Sequence, residues 1–238
     1  MKFKNYIWDF DGTLFNTYIH ELTVIWDLME KHGIDSMNDP DRVYRLMRVG
    51  YSEIMKLPGM TEDIYYEFRG RGLKTGNEEL FPKILPFADS YRILAAIVSS
   101  GGKNYLYTHR DSSSLSWYLR EYGFDSFFSD AVTADENFPA KPCPDGLLEL
   151  CRRNSIDPSV SIMIGDRYID GMAGKNAGMA GALVNYPPEL PDLSSPSPDA
   201  LRRGIDYTAE SLAEFARQME IDMSFMNIMK KKDQKNRD

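Results

Sequence analysis

Residues 6–13 read Tyr-Ile-Trp-Asp-Phe-Asp-Gly-Thr, a short apolar run that ends in two carboxylates and breaks at a glycine. Ile7 and Trp8 suit a buried or half-buried strand. Asp9 and Asp11 are two apart, so on extended backbone they leave the same side. Gly12 lets the chain turn sharply straight afterwards. Paired acids at the carboxyl end of a strand suit a hard divalent cation, which takes oxygen ligands. They also suit a division of labour, with one carboxylate as nucleophile and the other as acid and base.

The segment that follows this strand breaks with it. Residues 15–84 carry helical patterns and few strand signals. Tyr18–His32 has Leu22, Ile25, Trp26 and Met29 at the spacing of one helix face, closed by Gly33. Asp39-Pro-Asp opens a second helix with Val43, Leu46 and Met47 inward, and Thr61-Glu-Asp opens another. These patterns predict a small helical domain inserted after the first strand.

From Pro86 onward, strands and helices alternate. Tyr91, Leu94, Ala95 and Val98 mark a helix face. Tyr105–Tyr107 is a strand ending at Thr108, and Leu115, Tyr118, Leu119 and Tyr122 line the next helix. Phe127–Val132, Val160–Ile164 and Ala182–Val184 read as strands. Leu147–Cys151, Asp170–Ala177 and Thr208–Met219 read as helices. The alternation predicts an α/β fold with a parallel, doubly wound sheet, made of residues 1–14 and 85–238. Ligands of such sheets sit beyond the carboxyl ends of the strands, where Asp9, Thr108 and Asp166 all fall. The Pro- and Ser-rich stretch 187–199 reads as a surface loop, and the charged end 230–238 as a solvated tail.

The chain of 238 residues has net charge −8, which gives no basic footprint for nucleic acid. No apolar run is long enough to span a membrane, and Met1-Lys-Phe-Lys-Asn shows no signal region. Cys143 and Cys151 are too few for a disulfide framework or a zinc cluster. They fit reduced packing residues of a cytoplasmic protein, monomer or homodimer.

The run from Asp9 to Thr17, Asp-Phe-Asp-Gly-Thr-Leu-Phe-Asn-Thr, resembles the first motif of the haloacid dehalogenase-like (HAD) hydrolase superfamily. Three further motifs of that superfamily are matched in order: Thr108 after its strand, Lys141 in Lys-Pro-Cys-Pro-Asp, and Gly165-Asp166-Arg-Tyr-Ile-Asp170. The resemblance implies a Rossmann-like core with a helical cap that closes as a lid. It implies that Asp9 takes a phosphoryl group as an aspartyl-phosphate and that Asp11 serves as acid and base while its backbone carbonyl binds metal. Gly12, Thr13 and the Thr108 hydroxyl would hold phosphate oxygens, and Lys141 would neutralise charge. Asp166 would be the second carboxylate on Mg²⁺, with Asp170 an auxiliary acid that orients Lys141. Where relatives have small or amide-bearing residues after the motif hydroxyl, this chain has His109-Arg110. His109 could touch the substrate, and Arg110 could add positive charge.

Within the superfamily the chain is similar to the phosphoglycolate phosphatase and β-phosphoglucomutase branch. The dehalogenase branch lacks a counterpart of Asp11, which argues against dehalogenation. Glu53 stands where the mutases carry an arginine, which argues against a mutase. Arg45 and Arg48 could grip a substrate acid from the cap. The implied activity is Mg²⁺-dependent hydrolysis of a small phosphate ester such as phosphoglycolate, a sugar phosphate or a nucleotide monophosphate. The alternatives are a β-phosphoglucomutase-like phosphotransferase and a non-catalytic binding module.

Overall fold

The computed structural model describes residues 1–34, 40–49, 51–72, 83–185 and 205–224. Its centre is a parallel sheet of six strands: β1 (Asn5–Trp8), β2 (Lys103–Tyr107), β3 (Phe128–Val132), β4 (Ser161–Gly165), β5 (Ala180–Leu183) and β6 (Tyr207–Thr208). The order across the sheet is β3-β2-β1-β4-β5-β6, and every pairing is parallel. The chain winds outward from β1 in one direction and from β4 in the other. A crevice therefore opens at the carboxyl ends of β1 and β4, the switch point of a doubly wound sheet.

β1 reads as a continuous apolar run because both of its faces are covered. Tyr6 and Trp8 are fully buried with Leu106, Ile162 and Ile164 on one face, in a cluster completed by α5 (Ser90–Ser99), α6 (Ser112–Glu121) and α9 (Leu212–Gln218). Ile7 packs on the other face with Tyr105 and Met163, under α7 (Asp145–Asn154) and α8 (Tyr168–Asn176). Trp8 is in register with Leu106 and with Ile164, so the three central strands end at one level.

Helices α1 (Thr17–Lys31), α2 (Pro40–Val49), α3 (Tyr51–Ile54) and α4 (Glu62–Gly72) bury a separate apolar cluster that includes Ile25, Met29, Val43, Met47, Ile54 and Phe68. The chain leaves the sheet and returns to it at adjacent points. Phe15 bridges Pro86, the Asn16 N–H donates to Leu85 O at 3.0 Å, and the Phe87 N–H donates to Leu14 O at 3.0 Å.

Several boundaries and faces differ from the sequence reading. The buried stripe of α1 is Glu21, Val24, Ile25, Leu28 and Met29, and Trp26 lies outside it. Tyr91 and Val98 of α5 are exposed, and Ile93, Leu94 and Ile97 face inward. In both helices apolar residues surround more than one face, so spacing alone allows neighbouring stripes. Thr208 closes the short edge strand β6 rather than opening the last helix. That helix begins after Ser211, whose Oγ accepts from the Glu214 N–H at 3.2 Å. Phe127 ends a 3₁₀ turn ahead of β3. Gly50, the stretch 187–199 and the tail 230–238 lie outside the described residues. Among the described residues no helix is long and apolar enough to cross a membrane.

Candidate active site

The crevice is built from the ends of four parallel strands. Beyond β1, the Asp9 N–H still donates to Ile164 O of β4 at 2.8 Å, so Asp9 is fixed at the mouth and is 2% exposed. The chain then coils tightly. Phe10 O accepts from the N–H groups of Thr13, Leu14 and Phe15 at 3.4, 3.0 and 3.1 Å. Gly12 makes the coil possible at φ +75°. A Cβ there would lie 2.4 Å from the Tyr18 ring and 2.8 Å from the Asp166 carboxylate. The Asn185 side-chain amide anchors the coil by donating to Gly12 O at 3.2 Å and Thr13 O at 2.9 Å.

The Gly12 N–H is spent on Phe15 O at 2.8 Å, and that of Thr13 points back to Phe10 O. Among the described residues, the amides of Phe10 and Asp11 have no such acceptor. They are therefore the ones available to an anion above Asp9. Thr13 instead turns its hydroxyl to Asp166 Oδ1 at 3.4 Å.

Lys141 is the electrostatic centre. Its Nζ donates to Asp9 Oδ1 at 2.6 Å, Asp170 Oδ1 at 2.7 Å and Tyr107 O at 3.0 Å, and its side chain is wholly buried. Burial alone would lower its pKa, but Asp170 and Asp9 outweigh burial and hold it above the usual lysine value. Burial raises Asp170 too, and there Lys141 and Arg167 prevail and keep the carboxylate ionised. Asp170 Oδ2 accepts from the Arg167 N–H at 3.0 Å, which caps α8. Gly165 is required under it, because a Cβ there would lie 2.2 Å from that of Asp170. For Asp9, burial outweighs Lys141 and pushes the carboxyl up to about 7. Its second oxygen, Oδ2, is buried with no hydrogen-bond partner.

Asp166 lies across the crevice and is held from the helical segment. The Tyr18 hydroxyl donates to its Oδ2 at 2.9 Å. Arg48 Nε approaches the same oxygen at 3.4 Å, and Arg48 Nη2 donates to the Asp166 carbonyl. Arg48 is 1% exposed, so α2 buries this arginine inside the site. Burial raises the Asp166 pKa, and Arg48 and Arg167 oppose the rise. The ligand oxygens of Asp9, Asp166 and Asp170 come within 4.8 Å of one another. Three buried carboxylates with an orphan oxygen on Asp9 are a donor set that suits a hard divalent ion.

The Asp11 carboxylate stands apart from this cluster. Arg110 grips it with both sides of its guanidinium fork, Nε at 3.3 Å and Nη2 on the other oxygen. Arg110 is buried over the rings of Phe10 and Tyr118, at 5.2 and 5.1 Å. Its backbone N–H donates to the Thr108 hydroxyl at 3.1 Å. The His109 Nε2 accepts from the Lys141 N–H at 3.2 Å. That bond requires the neutral ring with its proton on Nδ1, in keeping with a pKa lowered to about 4 by burial and by Lys141 and Arg167.

The structure thus gathers Asp9, Thr108, Lys141, Asp166, Asp170 and Arg48 at one crevice, with Asp11 at its edge. Sequence reasoning missed Tyr18 and Arg167. Arg167 occupies a free position of the Gly-Asp-x-x-x-Asp spacing, and Tyr18 looks like any helix-face aromatic.

Comparison with known proteins agrees with this geometry. The family model described as haloacid dehalogenase-like hydrolase matches residues 6–184. A pyrophosphatase PpaX of Halalkalibacterium halodurans is 24% identical over 197 residues, which is 78% of this chain and 85% of that protein. A phosphoglycolate phosphatase of Vibrio vulnificus is 31% identical over 123 residues, 51% of this chain and 50% of that one. The crystal structure of a HAD-superfamily hydrolase, subfamily IA, from Geobacter sulfurreducens superposes with a TM-score of 0.64 at 21% identity, covering 92% of this chain and 97% of the other.

Proposed function

Because the chain belongs to the haloacid dehalogenase-like hydrolase family, we propose that it is a metal-dependent phosphatase acting on a small phosphate ester through an aspartyl-phosphate on Asp9. One observation carries the reading above the others. A buried carboxylate at a strand end has one oxygen held by Lys141 at 2.6 Å and the other oxygen unpartnered.

The residues divide the work as follows. Asp9 attacks the phosphorus, forming an acyl-phosphate bond as the bond to the leaving oxygen breaks. The hydroxyl of Thr108 and the amides of Phe10 and Asp11 donate to the phosphoryl oxygens, and Lys141 balances the charge. Asp11, protonated from solvent once one oxygen has left the Arg110 fork, gives that proton to the leaving oxygen. It then takes one from the water that attacks phosphorus, freeing orthophosphate and Asp9. Asp11 can do so only after one of its oxygens leaves the Arg110 fork. Mg²⁺ held by Asp9, Asp166 and the Asp11 carbonyl, with Asp170 beside them, would supply Lewis-acid neutralisation of the phosphoryl oxygens.

Residues 1–14 and 85–238 form the catalytic core in this reading, and residues 15–84 form a cap over it. The adjacent exit and return at Phe15 and Pro86 support that division. Since relatives are named for pyrophosphate and phosphoglycolate, we put phosphoglycolate first among the esters and add the anhydride pyrophosphate to the candidates, with sugar phosphates and nucleotide monophosphates next. Glu53 pairs with Lys56 on the helical segment, which gives the phosphotransferase alternative no cation at that position.

The test is phosphate release from a panel of these compounds with Mg²⁺, beside Asp9→Asn and a chelator control. Turnover lost in both controls is expected. A wild-type protein that releases no phosphate from any of them refutes the proposal.

A further inference from the structure

Among the described residues four cations surround the acids of this crevice, and three are spent. Lys141 fills its donors on Asp9, Asp170 and Tyr107 O. Arg48 is used on Asp166, and Arg110 on Asp11. Arg167 is different. Its backbone N–H donates to Asp170 Oδ2, but its guanidinium Nε is buried with no hydrogen-bond partner. Its ion-pair approach, to Asp170 Oδ2, is 3.7 Å, too long for a hydrogen bond.

The side chain is 16% exposed and close enough to Asp9, Asp166, Asp170 and Tyr18 to act on their charges. A buried guanidinium N–H without an acceptor is costly. Such a cost is offset when a bound anion supplies the acceptor. In the proposed mechanism the transferred phosphoryl group already has Lys141, Thr108 and the amides of Phe10 and Asp11 as its donors, which leaves Arg167 for another group.

We infer that Arg167 is a specificity-determining residue that receives a second anionic group of the substrate, so that the preferred substrates are phosphate compounds bearing a further phosphate or carboxylate. This inference rests on the phosphatase reading and narrows its substrate class. The source of the second charge is left to chemistry: a diphosphate and a phosphorylated carboxylic acid both offer it.

The experiment compares Arg167→Met and Arg167→Lys with wild type on four compounds. Pyrophosphate and phosphoglycolate carry the second anionic group, and glycerol phosphate and p-nitrophenyl phosphate lack it. Met keeps the apolar stem and the capping backbone N–H, and Lys keeps the charge. The expected result for Arg167→Met is a kcat/KM lowered about tenfold to hundredfold on the first pair, mostly through KM. On the second pair the loss is smaller, because it reflects only the charge that Arg167 lends to Asp166 and Asp170, and Arg167→Lys recovers part of the extra loss on the first pair. Calorimetry on the same proteins measures pyrophosphate against orthophosphate binding, where Arg167→Met should erase the preference for pyrophosphate.

Equal losses on all four compounds would assign Arg167 to the transferred phosphoryl group and overturn the inference. A lowered melting temperature with unchanged substrate ratios would make it structural and overturn the inference equally. A wild type that turns over none of the compounds would sink the phosphatase reading alone, and the calorimetric preference would then decide the role of Arg167 by itself.

Discussion

Replacing Lys141 by Met removes the cation whose Nζ lies 2.6 and 2.7 Å from two buried carboxylates, Asp9 and Asp170. Each contact is shorter than 4 Å, where a pair near a protein surface gains about 4 kcal/mol of gross attraction. Most of that gain is offset by taking the ions out of water. The net cost of removing one partner is what remains when the other charges stay buried, about 3–5 kcal/mol. Lys141→Met should therefore destabilise the metal-free protein by about that amount at pH 8, read from urea unfolding. The loss should shrink as pH falls, because Asp9 and Asp170 can then protonate and shed the uncompensated charge. Asp170→Asn added to Lys141→Met should recover at least about 1 kcal/mol, since contacting residues couple. A single variant within about 1 kcal/mol of wild type, or a double variant that is purely additive, would refute the view of Lys141 as the charge that holds the site together.

Asp9 titrates near 7 in the fold, above its unfolded value of 3.8, so ionising it when buried works against the metal-free fold as pH rises between those values. Asp9→Asn should accordingly raise the melting temperature at pH 7.5, with the gain fading toward pH 4, and a gain that grows toward acid pH would contradict this. For Asp170 the sign is opposite. Its lowered pKa contributes stability above 3.8 that disappears as pH falls through the folded value, and Asp170→Asn should flatten that acid limb. Arg48→Met strips a buried cation from Asp166 and should cost the metal-free protein about 3 kcal/mol, partly restored by Mg²⁺ in a thermal-shift titration. Gly12→Ala forces an L-residue to φ +75° with its Cβ 2.4 Å from the Tyr18 ring. It should lower stability by about 2 kcal/mol or more and abolish turnover.

The core was legible because a parallel sheet is covered on both faces. Tyr6-Ile-Trp and Tyr105-Leu-Tyr read as unbroken apolar runs and Val160-Ser-Ile-Met-Ile as a β-branched one, and each leads into a residue of the candidate site. Helix faces were less legible, as Trp26, Tyr91 and Val98 show. An apolar side chain can sit on either side of a stripe, and its neighbours in space decide which. In the site, the residues on strand ends could be placed from spacing. Tyr18 and Arg48 meet Asp166 across distant segments, 148 and 118 residues apart; the sequence reading offered Arg48 as a grip on a substrate acid, and no local pattern encodes its meeting with Asp166. The amides of Phe10 and Asp11 carry no side-chain signature at all.

The most direct test of the central claim is chemical trapping at Asp9. The protein is mixed with Mg²⁺ and p-nitrophenyl phosphate, quenched with borohydride and mapped by mass spectrometry, because reduction converts an acyl-phosphate on aspartate to homoserine. Homoserine at position 9, absent without substrate, is the expected result. Nitrophenol release with Asp9 unmodified, or the label on another carboxylate, would contradict the account.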